Sequence, residues 1–101
     1  MLMNTTIEKS RYGCPQPQIE LFFDQDTSTR EANAILHQLA AAVERATLPA
    51  ERWIVQVEGW NAGELHDRRI DGRVYLELHD ATPAEAKRGL ATLERVAKEI
   101  A

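Results

Sequence analysis

The side chains that first suggest a nucleophile or a metal site are one thiol and three imidazoles, those of Cys14, His37, His66 and His79. Cys14 lies in the segment Gly13-Cys14-Pro15-Gln16-Pro17, where two closely spaced prolines favour an extended or turning backbone. A thiol becomes strongly nucleophilic beside a cation or at a helix N-terminus. Because strand-like alternation follows from Ile19, we expect an ordinary loop thiol, and Cys14 is the one candidate for a reactive thiol.

The three histidines do not predict a metal centre. Zinc needs three or four ligands that converge on one point, and no pair of histidines here has a diagnostic local spacing. His66-Asp67 and His79-Asp80 are adjacent in sequence, but neighbours on a strand point to opposite faces, so neither doublet predicts a catalytic dyad. The phosphate-binding, dinucleotide-binding and nucleophile-elbow patterns are absent. The sequence therefore predicts no metal and no cofactor, and it favours a protein without a catalytic centre of its own.

Composition limits the class of protein. The chain has 101 residues, enough for one core, and a net charge of −4 with both signs well mixed. That charge disfavours a partner held through phosphates. A single cysteine excludes an internal disulfide, no basic and apolar leader is visible, and no apolar run reaches the length of about 20 residues that spans a bilayer. We expect a cytoplasmic protein that does not associate with membranes.

Apolar periodicity predicts three strands and two helices. The alternating segments are 19–23, 53–60 and, after the turn signal Asp71-Gly72, 73–79. Ser28 with Glu31 is typical of a helix start, and Leu48-Pro49 of its end. Thr82-Pro83-Ala84-Glu85 predicts the start of the second helix. Residues 1–18 are interpreted as an N-terminal arm in which 5–9 could form an edge strand, and residues 19–101 as a single domain.

These elements fit one α+β arrangement, a two-layer sandwich with both helices on one face of an antiparallel sheet. The order βαββα matches a ferredoxin-like fold that lacks its last strand. A right-handed crossover through the first helix makes the first two predicted strands parallel, with the third between or beside them. The missing edge could be supplied by the N-terminal arm, covered by a second subunit, or left bare.

The sheet face opposite the helices, called the open face below, carries the predicted interface. Alternation places on it five side chains of interest, those of Phe22, Ile54, Trp60, Arg73 and Tyr75. We expect the apolar members to form a contiguous patch, and such patches usually mark protein contacts. The remaining alternative is that the N-terminal arm covers this face within one chain.

Three short segments resemble motifs of two known families. Leu21-Phe22-Phe23 and the run from Gly72 to Leu78 resemble the first-strand and third-strand motifs of RNA-recognition motifs. This resemblance implies that Phe22 and Tyr75 stack on the bases of single-stranded nucleic acid and that Arg73 contacts phosphate. Cys14-Pro15-Gln16-Pro17 resembles the Cys-Pro-x-Pro motif of small sulfur-carrier proteins, which implies a persulfide on Cys14.

The interpretation that the sequence favours is a small non-catalytic interaction or regulatory module. We expect it to form a homodimer through its open face or a sheet edge, and it could bind another protein there. The alternatives are a nucleic-acid-binding sheet, which the net charge disfavours, and a small enzyme or thiol carrier that uses Cys14.

Overall fold

A computed structural model describes residues 2–10, 12–24, 26–47, 52–59 and 71–100. The chain order is ββαββα. The elements are β1 (Leu2–Lys9), β2 (Pro15–Phe22), α1 (Thr29–Thr47), β3 (Ile54–Gly59), β4 (Asp71–Glu77) and α2 (Pro83–Ile100). The predicted helix end at Leu48-Pro49 lies outside the described residues.

The four strands form one antiparallel sheet in the order β1-β2-β4-β3. Helix α1 packs on β3 and β4, whereas α2 packs on β2 and β1. The predicted α+β sandwich with both helices on one face is therefore confirmed. Residues 2–9 of the expected arm supply the edge strand that a ferredoxin-like sheet would otherwise lack. Strands β2 and β3 run in the same direction with β4 between them, as the crossover rule predicts.

Strand β2 begins at Pro15, four residues before the predicted start at Ile19. Proline is unusual in an inner strand because it cannot donate to the ladder. Ser10 N–H donates to the Cys14 carbonyl at 2.9 Å, so the even-numbered residues of β2 bond to β1. The backbone nitrogens of Pro15 and Pro17, which carry no hydrogen, therefore face the side of β4. The pairing of β2 with β4 begins only at Gln18, so among the described residues no strand partner lies opposite these two nitrogens. The prolines cost no hydrogen bond in the sheet.

The Asp71-Gly72 pair, predicted to be a turn, is the beginning of β4. Gly72 is buried and pairs with Leu21 on one side and Gly59 on the other. A Cβ atom at Gly72 would lie 2.6 Å from Cδ1 of Leu36 in α1. The glycine is therefore needed for close packing between helix and sheet. The prediction was wrong because local sequence cannot reveal a contact made across the core.

The core lies between the sheet and the two helices. Its fully buried apolar members come from β2, α1, β4 and α2 and include Ile19, Leu21, Leu36, Leu39, Val43, Val74, Leu76, Leu93 and Val96. Helix α1 starts as predicted, because the Glu31 N–H donates to Ser28 Oγ at 3.1 Å. The inward alternation of β4 is confirmed at Val74 and Leu76, while Leu78 and His79 follow the end of the strand.

The predicted cap of α2 forms a reciprocal capping box. The Glu85 N–H donates to Thr82 Oγ1, and the Thr82 N–H donates to Glu85 Oε1, both at 3.1 Å. Arg52, just before β3, joins this cap through Nη2 to Glu85 Oε2 at 3.1 Å. The backbone hydrogen bond from Thr82, helped by Arg52, holds the pKa of Glu85 below its ordinary value.

This lowered pKa predicts that the protein loses stability as the pH falls into the acid range. Glu85→Gln should reduce this pH dependence. A carboxyl group with a lower pKa in the folded state stabilises the fold above its unfolded-state pKa of about 4.3. That contribution is lost as the pH falls through the folded-state pKa. Urea midpoints measured across this range should therefore fall less steeply for Glu85→Gln than for the wild type. Glu44→Gln, on the outer surface of α1, is the matched control, and an equal change in both variants would contradict the assignment.

Candidate functional site: the open face of the sheet

Strand register defines the open face. Directly opposed residues of antiparallel strands share a face, so it takes the even-numbered residues of β1, β2 and β3 and the odd-numbered residues of β4. Its central side chains are those of Thr6, Gln16, Gln18, Glu20, Gln56, Glu58, Arg73, Tyr75 and Glu77. Both helices pack on the other side of the sheet. Among the described residues, no helix or strand packs on this face.

Arg73 is the centre of a polar network that spans three strands. Its Nε and Nη2 donate to Glu58 Oε2 on β3 at 3.3 and 2.9 Å, and its Nη1 donates to Gln18 Oε1 on β2 at 2.8 Å. The guanidinium also lies over the ring of Tyr75, with Cζ 4.3 Å from the ring centroid. The positive charge of Arg73 is thus paired within the chain and held in one orientation.

Gln18 connects this network to its neighbours. Its side-chain amide donates from Nε2 to Glu20 Oε1 at 3.0 Å, while its carbonyl oxygen accepts from Arg73. The residue is only 3% exposed even though it lies on the open face. A buried amide with both ends hydrogen-bonded resists rearrangement, because breaking either bond leaves a polar group without a partner.

Of the four predicted interface residues that the structure describes, Arg73 and Tyr75 lie together. Phe22 pairs with Asp71 at one end of β4, whereas Ile54 pairs with Glu77 at the other. These two apolar side chains are therefore separated by about 20 Å along the strands. Ile54 is 60% exposed and Phe22 is half-buried. Trp60 lies outside the described residues.

Among the described residues, polar side chains lie between Phe22 and Ile54 on the open face, so these two do not belong to one apolar patch. The alternation that selected Ile54 and Tyr75 also placed Gln56, Glu58 and Glu77 on the same face. Sequence reasoning missed the roles of Gln18 and Glu58, because their partnership with Arg73 depends on the register across three strands. Alternation could have placed Gln18 and Glu58 on the same face as Arg73, but it could not have revealed their hydrogen bonds with Arg73.

A hollow of about 460 Å³ lies at the β1–β2 turn end of the open face. Its wall is formed by Ser10, Tyr12, Cys14, Gln16, Arg73, Tyr75, Glu77 and His79. The thiol of Cys14 donates to the His79 carbonyl oxygen, with an Sγ to O distance of 2.6 Å. The Tyr12 ring meets the His79 ring edge-on, with centroids 6.5 Å apart. These two contacts hold the turn against the segment that follows β4.

Cys14 precedes a strand, as expected, and no helix begins beside it. The helix N-terminus that supports the reactive cysteine in the sulfur-carrier motif is therefore not at this position. His37 is exposed on α1, His79 is exposed after β4, and His66 lies outside the described residues. Across the residues with assigned positions, no group of three or more His, Cys, Asp or Glu side chains could hold a metal ion.

Comparison of the chain with protein-family models, curated proteins and solved structures finds no match. Within the described segments, neither helix combines the length and the apolar character needed to cross a bilayer.

Proposed function

We propose that this chain is a small non-catalytic interaction module that forms a two-fold homodimer by pairing the outer edges of two β1 strands. The observation that carries this proposal is the character of that edge. Strand β1 has eight residues and no proline, and its only charged side chains, Glu8 and Lys9, are at one end. A long edge without protective devices readily pairs with another strand. A cytosolic location belongs to the same proposal and is supported by the single free thiol.

The backbone groups needed for such pairing face outward. Even-numbered residues of β1 bond to β2, so Met3, Thr5 and Ile7 direct their N–H and C=O groups away from the sheet. In the described part of the chain, no strand pairs with this side of β1. Apolar side chains accompany it, since Leu2 is 66% exposed and Ile7 is 37% exposed. Pairing would remove these backbone groups and part of the Ile7 side chain from water.

One register satisfies both the hydrogen bonds and the side chains. If Thr5 faces Thr5 of the second copy, Met3 faces Ile7 of that copy, and all these residues lie on the helix side of the joined sheet. Their outward groups make about six backbone hydrogen bonds, two for each opposed pair. Thr–Thr and apolar cross-strand pairs are favourable. Helix α2 packs on β1 and β2, so the two α2 helices would lie on the same side of an eight-stranded sheet, adjacent to the two-fold axis.

Thr5→Pro tests this interface without removing a hydrogen bond from the subunit. Proline deletes the outward N–H and is tolerated on the free side of an edge strand. By light scattering at micromolar concentration, we expect a dimeric wild type and a monomeric Thr5→Pro that keeps its circular dichroism spectrum. Val57→Pro removes an outward N–H from the other edge strand, β3, and should remain dimeric. A monomeric wild type, or dissociation by Val57→Pro alone, would contradict the β1 interface.

A covalent trap tests the register of the same interface. In a Cys14→Ser background, Thr5→Cys would place two thiols on facing residues about 5.5 Å apart at Cα, within disulfide range. Oxidation should convert this variant to a covalent dimer. Asn4→Cys should not cross-link, because Asn4 faces Thr6 of the second copy. The double substitution Phe22→Ser with Tyr75→Ser should leave the dimer intact, and its dissociation would favour an interface on the open face instead.

A further inference from the structure

The open face has more carboxylates than cationic groups. Glu8, Glu20, Glu58 and Glu77 lie on it, and Arg73 is the one guanidinium among the described side chains of β2, β3 and β4. Since Arg73 is already bonded to Glu58, the remaining carboxylates give this face a negative potential. Lys9, at the end of β1, reduces that potential only at one corner. The chain as a whole also has a net charge of −4.

Two adjoining hollows give the same face a continuous depression. The first is the hollow of about 460 Å³ at the β1–β2 turn. The second, of about 540 Å³, has walls that include Glu8, Glu20 and Glu58. Ser10, Gln16 and Arg73 belong to both walls. The depression therefore runs from Tyr12 and His79 at the turn to Glu58 on β3, a shape suited to an extended chain segment.

The contact between Arg73 and Tyr75 shows how this face holds a cation. The guanidinium lies flat over an aromatic ring and bonds to a carboxylate at its edge. The wall of the first hollow has a second ring and a second carboxylate, those of Tyr12 and Glu77, and Arg73 is its one guanidinium. Tyr12 is 76% exposed, and Glu77 is also exposed in this wall. An incoming ammonium or guanidinium group could use this second ring and carboxylate.

We propose that the open face docks an extended peptide segment that carries lysine or arginine side chains. Charge complementarity selects this partner, because phosphates of a nucleic acid would be repelled by the carboxylates. The two-fold axis proposed for the β1 edge is perpendicular to the sheet. Edge pairing would therefore leave the open faces of both subunits uncovered and on the same side. The docking site does not depend on that dimer.

The probe for this proposal is a short fluorescein-labelled peptide of alternating arginine and glycine, followed by fluorescence anisotropy. We expect binding at low ionic strength that weakens as salt is added. Glu77→Gln and Glu20→Gln should each weaken binding roughly two- to five-fold, the equivalent of one surface ion pair. Tyr12→Leu should also weaken it, whereas Tyr12→Phe should not, because phenylalanine keeps the aromatic ring.

Glu44→Gln is the control for net charge, because Glu44 is exposed on α1 in the opposite layer. It should leave the affinity unchanged. Equal weakening by Glu44→Gln and Glu77→Gln would mean that only total charge matters and would overturn the site. Tighter binding of oligodeoxythymidylate than of the arginine peptide, or no peptide binding at low salt, would also overturn it. Thr5→Pro should bind the peptide like the wild type, which separates this site from the dimer interface.

Discussion

Leu93→Ala is expected to lower the free energy of unfolding by about 2–5 kcal/mol, a large share of the stability of a domain of this size. Leu93 lies midway along α2 and is completely buried in the core. Its truncation removes apolar contacts and leaves a cavity between the helices and the sheet. Because α2 packs on both β1 and β2, the loss weakens the side of the sheet on which the proposed interface depends.

Chemical denaturation measures this loss. The m-value should be the same in the variant and the wild type, so that a shift in the midpoint reports the change in stability. Ile100→Ala provides a matched control on the same helix, since Ile100 is 39% exposed at its C-terminal end. We expect that control to lose less than about 1 kcal/mol. If the two variants lost similar amounts, Leu93 would not be the central contact of α2. If Leu93→Ala does not fold, Leu93→Met keeps the volume and should cost less than about 1.5 kcal/mol.

Gly72→Val is expected to destabilise the protein by about 3 kcal/mol, near the upper end of the usual cost of overpacking. A Cβ atom at this position would lie 2.6 and 2.9 Å from the two terminal carbons of Leu36, and 3.2 Å from the Glu58 carbonyl oxygen. Leu36 is only 1% exposed, so its side chain has little space in which to move. The backbone of Gly72 is ordinary strand, so the cost comes from these close contacts, chiefly the two with Leu36 across the core.

A double-mutant cycle separates this contact from other effects of valine. Leu36→Ala alone creates a cavity and should cost about 2–5 kcal/mol. In the combined variant, valine at position 72 fills part of that cavity, so the total loss should be smaller than the sum of the single losses. If the losses of unfolding free energy measured in urea were strictly additive, the contact with Leu36 would not be the reason that position 72 requires glycine.

Much of the fold was predictable because its signals are local. The alternation around Val74 and Leu76 identified the inner strand, and the caps at Ser28 and Thr82 located both helix starts. Strand β1 was predicted only in part, because an edge strand with mixed polar residues has weak alternation. The start of β2 was missed because proline usually argues against an inner strand. Its tolerance here depends on where the ladder with β4 begins.

The candidate site was less predictable than the fold for a related reason. Period-two alternation assigns a residue to a face, which is why Arg73 and Tyr75 were correctly placed together. It does not say which residues meet across strands, so the bonds from Arg73 to Gln18 and Glu58 needed the register. The register is also needed to see that Phe22 and Ile54 lie at opposite ends of the sheet.

The strand order also fixes when the sheet can be completed. Strand β2 is inner, yet its neighbour β4 follows only after α1 and β3 in the chain. The β1–β2 hairpin closes a short loop, whereas the pairing of Ile19 with Val74 closes a long one at greater entropic cost. A growing chain can therefore form the hairpin early, but Ile19 cannot have strand partners on both sides until β4 has been synthesised. Until then, the apolar side of the hairpin stays accessible to chaperones and to other chains.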